Sequence, residues 1–458
     1  MTTTLQNLST QPYGTQREAC LVGTFDADGW LVDNPMPRAV FAFQIDGALD
    51  PGRFTAALHR SAALVDAWRA RLRKTANGFV LIGGVGEASE PVAVTMTSVC
   101  DRPPEERPAA MRAILEGVLY SPWDLRREPQ ARVGVVEIQP DVHVTLVAVD
   151  HAACDGVSLA AFLRRALALY AGLPGDGGPS MMAFASRTLN DPARAAARQF
   201  WSAQMAQPIG VPKFPGGRVK PWSERVGGEV VYAALDGAAL AAFDHARRRI
   251  GARRASLFVA AMGFVVELWA ERPVPIVYAR AGRSYPGAER VEGPLLEVVS
   301  TVAPTGRPPA TISAWMRERS DAEGHSPPLY GQWLSDFGGV EALRERRLIV
   351  VNSLAPVMIE RVTIGGARLG PADISILSSL RVPAGHTGLP SYNGLHMFMR
   401  WTETAVNAAI FHDRDVLPST QPVIATLERL FLMMASEPDA APASIADRLR
   451  RDWDQPPD

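Results

Sequence analysis

Apolar residues recur along the chain in two periods. In FAFQI (Phe41 to Ile45), Phe41, Phe43 and Ile45 share one face, the period-two pattern of a half-buried strand. From Asp50 the period lengthens, and Phe54, Leu58, Val65, Trp68 and Leu72 fall on one stripe of a long helix. GFVLIGG and VAVTMTSV read as strands, and Pro104 and Glu105 suit the first turn of a helix reaching about Leu119. ARVGVVEI (Ala131 to Ile138) and VHVTLVAV (Val142 to Val149) are separated by Gln139-Pro140-Asp141, short enough for an antiparallel hairpin. A helix from Ser158 to about Tyr170 comes next, with Ser158 as its cap.

AGLPGDGGPS, from Ala171 to Ser180, is rich in Gly and Pro and reads as a lobe boundary. The alternation then resumes. Helices are expected at Pro192 to Met205, Ala238 to Arg249, Ala255 to Trp269, after Pro309 and from Thr420 to about Ala435. Strands are expected at Glu229 to Leu235, Pro275 to Arg280, Leu348 to Asn352, Leu395 to Trp401 and Ala405 to Phe411. The pattern predicts an α/β protein of two lobes, residues 1–175 and 176–458, with sheets of mixed, mostly antiparallel pairing.

A chain of 458 residues has room for two large lobes, and 47% hydrophobic with 21% charged residues is globular composition. A formal charge of −1 supplies no basic field for nucleic acid and no polybasic tail for an anionic membrane. The N-terminus, MTTTLQNLSTQPYG, has neither a basic start nor an apolar run, so a cytoplasmic protein is expected. The longest apolar run, Ala255 to Ala270, is short and holds Glu267, which suits a core helix better than a membrane span. Cys20, Cys100 and Cys154 have no spacing suited to a zinc site or a disulfide framework, so no metal is expected.

Candidate chemistry concentrates where the strand ending at Val149 meets the next helix, in VTLVAVDHAACDGVSLAAF. Histidine is the side chain most readily poised to move protons near neutral pH, and His151 leaves an apolar strand whose backbone hydrogen bonds fix its position. Asp155 lies too far along to share that strand face, so the chain must bend between them, and Gly156 is read as easing the bend. Asp155 either orients the imidazole or braces the loop against an arginine from elsewhere. Asp150 reads as a solvated or loop-bracing carboxylate, and Cys154 as a small buried filler rather than a thiol nucleophile.

The stretch PWDLRREPQARVGVVEIQPDVHVTLVAVDHAACDG resembles the approach to the active-site motif of the condensation-domain (HxxxD) acyltransferases. Trp123-Asp124-Leu125 and Pro129 to Arg132 match its first parts, and His151, Asp155 and Gly156 match the end of H-H-x-x-x-D-G. ALHRSAALVDAWRARL (Ala57 to Leu72) and ARAGRSYPGAERVEGPLLEVVSTVAP (Ala279 to Pro304) are similar to further family segments. The first histidine of the doubled motif is Asp150 here, and the family's Asn-Thr pair appears as Ser300-Thr301, to which no role is given. The D-F-G-W-G motif of the plant enzymes has only a partial likeness at Asp336-Phe337-Gly338-Gly339, read as a turn.

The resemblance implies two lobes of the chloramphenicol acetyltransferase-like fold with a channel between them. It implies His151 as general base, Asp155 salt-bridged to a second-lobe arginine (Arg283, with Arg280 as second choice), and Gly156 as the close-approach point for a thioester and an oxyanion donor. The implied donor is a phosphopantetheine thioester, with no permanently bound cofactor. The implied partners are an acyl or peptidyl carrier protein and a small alcohol or amine acceptor. A free-standing nonribosomal-peptide-type condensation enzyme of specialised-metabolite (antibiotic) biosynthesis is the leading expectation. A coenzyme A-dependent or polyketide-associated O-acyltransferase and a non-catalytic recruitment module are its alternatives. The Gly- and Pro-punctuated segment Asp373 to Gly394, with His386, Tyr392 and Asn393, is read as an exposed loop.

Overall fold

A computed structural model describes residues 9–10, 12, 16, 19–20, 23–34, 38–84, 91–189, 199–200, 203, 210–219, 228–274, 276–283, 285–301, 309–320, 348–354, 363–364, 367–371 and 393–453. Its main elements up to residue 189 are β1 (Ala39–Asp46), α1 (Pro51–Ala63), β2 (Arg71–Thr75), β3 (Gly78–Ile82), β4 (Ala93–Ser98), α2 (Arg107–Tyr120), β5 (Ala131–Gln139), β6 (Val142–Val149), α3 (Gly156–Tyr170) and α4 (Met181–Leu189). Then come β7 (Gly228–Asp236), α5 (Gly237–Ile250), α6 (Arg254–Glu267), β8 (Ile276–Arg280), β9 (Glu297–Ser300), α7 (Ile312–Ser320), β10 (Leu348–Leu354), β11 (Thr363–Ile364), β12 (Ala367–Pro371), β13 (Asn393–Trp401), β14 (Ala405–Asp413), α8 (Gln421–Ser436) and α9 (Pro442–Arg451).

The chain forms two compact units that interleave in sequence. One holds Met1–Asp191, Ala281–Leu296 and Val357–Pro390; the other holds Pro192–Arg280, Glu297–Pro356 and Ser391–Asp458. A single cut near residue 175 does not describe them, because two later segments return to the first unit. The sheet of the first unit runs β11-β12-β1-β6-β5-β4, antiparallel except for the parallel pair β4/β5. The second runs β7-β14-β13-β10-β8-β9, parallel only at β13/β10 and β10/β8. Each is a mixed, mostly antiparallel sheet carrying helices, the α/β architecture expected.

Strand β6 is central in its sheet, paired with β1 on one side and β5 on the other, and everything from His143 to Val149 is buried. Its Val144, Leu146 and Ala148 pack on Leu115, Val118 and Leu119 of α2. Burial on both faces explains why its sequence is an apolar run rather than a clean alternation. At about 25 cal/mol per Å² of apolar surface, such a strand is a rigid base for the turn at its C-terminal end.

Local readings that differ have physical causes. The helix from Asp50 stops at Ala63; Val65 is extended (φ −101°, ψ 103°), a short 3-10 turn covers Asp66–Arg69, and Leu72 lies in β2. Asp66 is diverted to cap α4, accepting from the N–H groups of Met181 (3.1 Å) and Met182 (3.3 Å) and from Ser180 Oγ (2.6 Å). The Gly-rich stretch 171–180 packs into the first unit instead of linking lobes. A Cβ on Gly178 would meet the Arg290 carbonyl oxygen at 2.2 Å, so only glycine allows that approach. Helices α4 and α9 and strands β11 and β12 were not legible. The expected helix 192–205 lies almost entirely outside the described residues, as do Asp336 to Gly339 and nearly all of Asp373 to Gly394. Among the described residues, no helix is long and apolar enough to cross a membrane, and no group of three or more His, Cys, Asp or Glu suits a metal ion.

In the second unit, Asn352 on β10 ties two neighbouring strands: its Oδ1 accepts from the Ala279 N–H (2.9 Å) and its Nδ2 lies 3.0 Å from Nε2 of His396 on β13. Burial pushes the His396 imidazole down to about 3. Below pH 6.5 the unfolded chain therefore takes up a proton that the folded chain refuses. The stability contribution is full above about pH 6.5 and falls as pH drops toward 3, by up to about 1.4 kcal/mol per pH unit. Urea unfolding at pH 7 and pH 5 is expected to show a shallower loss in His396→Gln than in the parent protein. An identical slope would show that the imidazole does not stay neutral.

Candidate active site

The turn after β6 carries the candidate residues. The Asp150 N–H donates to the Gln130 carbonyl (2.9 Å) and the Ala153 N–H returns to the Asp150 carbonyl (2.9 Å), so the backbone reverses within residues 150–153. His151 is half-buried on this turn, while Ala152, Ala153 and Cys154 are buried beneath it. The Cys154 thiol is fully covered and its Sγ lies 3.2 Å from the Asp155 carbonyl. Burial, reinforced by the carboxylates of Asp155 and Glu292, pushes that thiol well above its ordinary range, which suits packing rather than nucleophilic attack.

Asp155, rather than Ser158, caps α3: its Oδ1 accepts from the Ser158 N–H at 2.9 Å. The same carboxylate is gripped by Arg283, Nη1 to Oδ2 at 2.7 Å and Nη2 to Oδ1 at 3.0 Å, and Oδ2 also accepts from the Leu295 N–H (3.0 Å). Asp155 is 1% exposed and the Arg283 side chain 10%. Arg283 also donates to Ser158 Oγ (2.8 Å), which exchanges two hydrogen bonds with the backbone of Gly293, both 2.8 Å. Arg283 belongs to the segment 281–296, which packs in the first unit and not in the second as its place in the chain suggested. Arg280 lies on β8 in the second unit, opposite Glu297 in register.

A second buried ion pair was missed. Arg165, on the buried face of α3 three residues beyond Phe162, makes a two-pronged contact with Glu292, Nη2 to Oε2 at 2.8 Å and Nη1 to Oε1. It also donates to the Oγ and carbonyl of Ser61 on α1, both 3.1 Å. An arginine within an apolar helical stripe is the sequence signal that could have found it. Helix α3 and the segment 281–296 are thus bolted together twice with opposite polarity, acid on the helix at Asp155 and base on the helix at Arg165.

Gly156 is the first helical residue of α3, not the pivot of a left-handed bend. Among the described residues, no heavy atom lies within 4 Å of a Cβ built on it. Asp150 is 3% exposed and braces the turn, its carboxylate held by Asn34 and the Ala152 N–H. Thr301 closes a strand contact in the second unit, exchanging bonds with the backbone of Ile276.

Removing Asp155 leaves the Arg283 guanidinium buried and unpaired, at a cost of about 3–5 kcal/mol. Asp155→Ala is expected to lose that much unfolding free energy in urea. A variant as stable as the parent yet inactive would show instead that Asp155 acts directly on His151.

A model of the condensation domain matches residues 39–314, more than half of the chain. A linear gramicidin synthase protein of Brevibacillus parabrevis is 30% identical over 147 residues, and the match spans 31% of this chain but 2% of that protein. Among solved structures, the X-domain from teicoplanin biosynthesis superposes with a TM-score of 0.72 at 18% identity, covering 96% of this chain and 99% of that one. A mutant starter condensation domain of rhizomide synthetase RzmA, in complex with C8-CoA and Leu-SNAC, gives 0.70 at 16% identity, covering 95% and 96%. SgcC5 from Streptomyces globisporus, in complex with a naphthyl ethanediol, gives 0.69 at 16% identity, covering 94% and 100%. The fold is that of the chloramphenicol acetyltransferase type, and the chain belongs to the condensation-domain family, whose chemistry is acyl transfer of the condensation type.

Proposed function

We propose that the protein transfers an acyl or aminoacyl group from the phosphopantetheine thioester of a carrier protein to an alcohol or amine, with His151 as general base. The observation that carries this reading is the space over Gly156, where no heavy atom of the described residues would meet a Cβ. Neither the bend nor the packing requires glycine there, and the space lies at the N-terminus of α3, five residues from His151 and rigidly anchored by Asp155. A reacting thioester is the kind of group that such a space admits.

The chemistry proceeds from the groups present. His151 takes the proton from the O–H or N–H of the acceptor as its oxygen or nitrogen bonds to the thioester carbon. The carbonyl oxygen becomes an oxyanion. The first N–H groups of a helix have no intrahelical partner and carry the positive end of the helix dipole, so Gly156 and Val157 of α3 are suited to receive it. Collapse of the tetrahedral intermediate re-forms the carbonyl and breaks the C–S bond, and the departing thiolate recovers the proton from His151. Asp155 takes no part in proton transfer; it holds the helix N-terminus and the loop in place.

The complex of the RzmA domain with C8-CoA favours a second donor, coenzyme A, which has the same pantetheine arm. Offering the protein one acyl group on a carrier and on coenzyme A separates the two readings, and a strong preference for coenzyme A overturns the first. His151→Ala is expected to lower kcat by about 10²–10⁴-fold with an unchanged unfolding midpoint. A correctly folded variant at full rate removes the general-base role. Gly156→Ala is expected to fold at least as stably, since alanine favours a helix, while losing transfer through a raised donor KM. Unchanged kinetics would show that the space is not used.

A further inference from the structure

Helix α6 of the second unit starts with cations where a helix favours anions. Its N-cap is Arg253, in extended conformation (φ −75°, ψ 153°), and no side chain caps the first turn. Arg254 takes the first helical position, and no acid stands in that turn. The start of a helix carries the positive end of its dipole, so two arginines there run against it. Among the described residues, the N–H groups of Arg254, Ala255 and Ser256 have no acceptor; the first to be paired is the Leu257 N–H, on the Arg253 carbonyl (3.0 Å). A separate group points the same way. The Ser256 side chain is 4% exposed, and its Oγ has no hydrogen-bond partner among the described residues. Helical side chains lean toward the N-terminus, so this hydroxyl at the third position reaches back under the open turn. A buried hydroxyl left unpaired is a cost that calls for a ligand or a reason.

The surroundings are strongly basic. Only Gly251 and Ala252 separate α5 from the cap of α6, and both donate to the Arg247 carbonyl (2.9 and 3.2 Å), which sets the last turn of α5 beside the first turn of α6. Residues 247–254 hold five arginines, Arg247, Arg248, Arg249, Arg253 and Arg254. Asp244 pairs with Arg247 (3.2 Å) and with Arg254 (2.9 Å), and Asp439 pairs with Arg249 (3.4 Å). Arg248 is exposed and has no ion pair among the described residues. The first three arginines complement the negative end of α5, but that reason does not extend to Arg253 and Arg254. The open turn has a closed wall at Ser256 and an accessible one at Arg254, which is exposed, with Ala255 half-buried between them.

We propose that the first turn of α6 binds a phosphate group, whose oxygens take the three N–H groups and the Ser256 hydroxyl while the neighbouring arginines supply the charge. A phosphate suits the site better than a carboxylate, because it offers three free oxygens to donors spread around a turn. Two sources share this chemistry: the phosphate ester of a pantetheine arm, and inorganic phosphate itself. The inference does not depend on His151, since every residue in it belongs to the second unit.

The test is an NMR titration of the full chain labelled with ¹⁵N-serine, the Ser256 amide being assigned by its loss in Ser256→Ala. Inorganic phosphate is expected to move that resonance saturably at an ionic strength held constant with potassium chloride, and pantetheine lacking its phosphate to leave it still. Saturation by coenzyme A at a concentration about tenfold lower than by inorganic phosphate identifies the pantetheine phosphate ester as the source. Equal midpoints identify phosphate itself. Arg253→Gln, a change at an exposed position, is expected to raise the phosphate midpoint about fivefold or more. Ser256→Ala is expected to melt no lower than the parent, since an unpaired buried hydroxyl is removed, and to bind phosphate about fivefold more weakly by calorimetry. A Ser256 resonance that neither phosphate nor coenzyme A moves, or that chloride moves as far, overturns the proposal. So does an unchanged phosphate midpoint in Arg253→Gln together with unchanged affinity in Ser256→Ala.

Discussion

The grip of Arg283 on Asp155 is the interaction from which the rest of the site takes its shape. One carboxylate caps α3, neutralises a buried guanidinium and accepts the Leu295 N–H, so helix start, loop and returning segment 281–296 are fixed by a single group. Two charges this deep are tolerable only because every lone pair and most of the guanidinium N–H groups find partners. The second pair, Arg165 with Glu292, repeats the arrangement farther along α3 with the charges exchanged. With two pairs on one helix, a register shift of the segment would separate both at once.

This anchoring divides labour among residues that look alike in the sequence. Cys154 and Asp155 are consumed by packing and bracing, which leaves His151, on a turn closed by backbone bonds, and Gly156, whose Cβ position meets no heavy atom of the described residues, for the role proposed above. Under the proposed acyl transfer, a site that receives a thioester and holds an imidazole in place needs both qualities: rigidity beneath and room above. The double-sided burial of β6 supplies the first, and the absence of a side chain at the start of α3 the second.

Two polar clusters inside the second unit follow the same rule of paired burial. Asn352 bridges β8 and β13 through Ala279 and His396, and Glu267 of α6 is neutralised by Arg319 of α7 while accepting the Val274 N–H. Each places a polar side chain where apolar packing would be simpler, and each ties together elements distant in sequence. Such contacts give an α/β core one arrangement among many of similar hydrophobic content.

Most of what is local was legible from the residues. The strands β1, β5 and β6, the hairpin between the last two, and helices α3, α5, α6 and α8 lie close to where the apolar pattern put them, because burial, of one face or of both, is written into consecutive residues. The motif from Asp150 to Gly156 could be found for the same reason: strand, bend and helix are written in consecutive residues. What the tertiary structure alone decided is non-local. That Asp66 leaves its helix to cap α4, that Arg165 faces Glu292, and that Asp150 is held by Asn34 all depend on pairings across 115 positions of chain or more, and the return of Ala281–Leu296 and β12 to the first unit is of the same kind. No periodicity encodes those, since a charged residue looks the same in sequence whether it meets water or a buried partner. The fate of each carboxylate beside His151 was settled by which donors the fold carried to it.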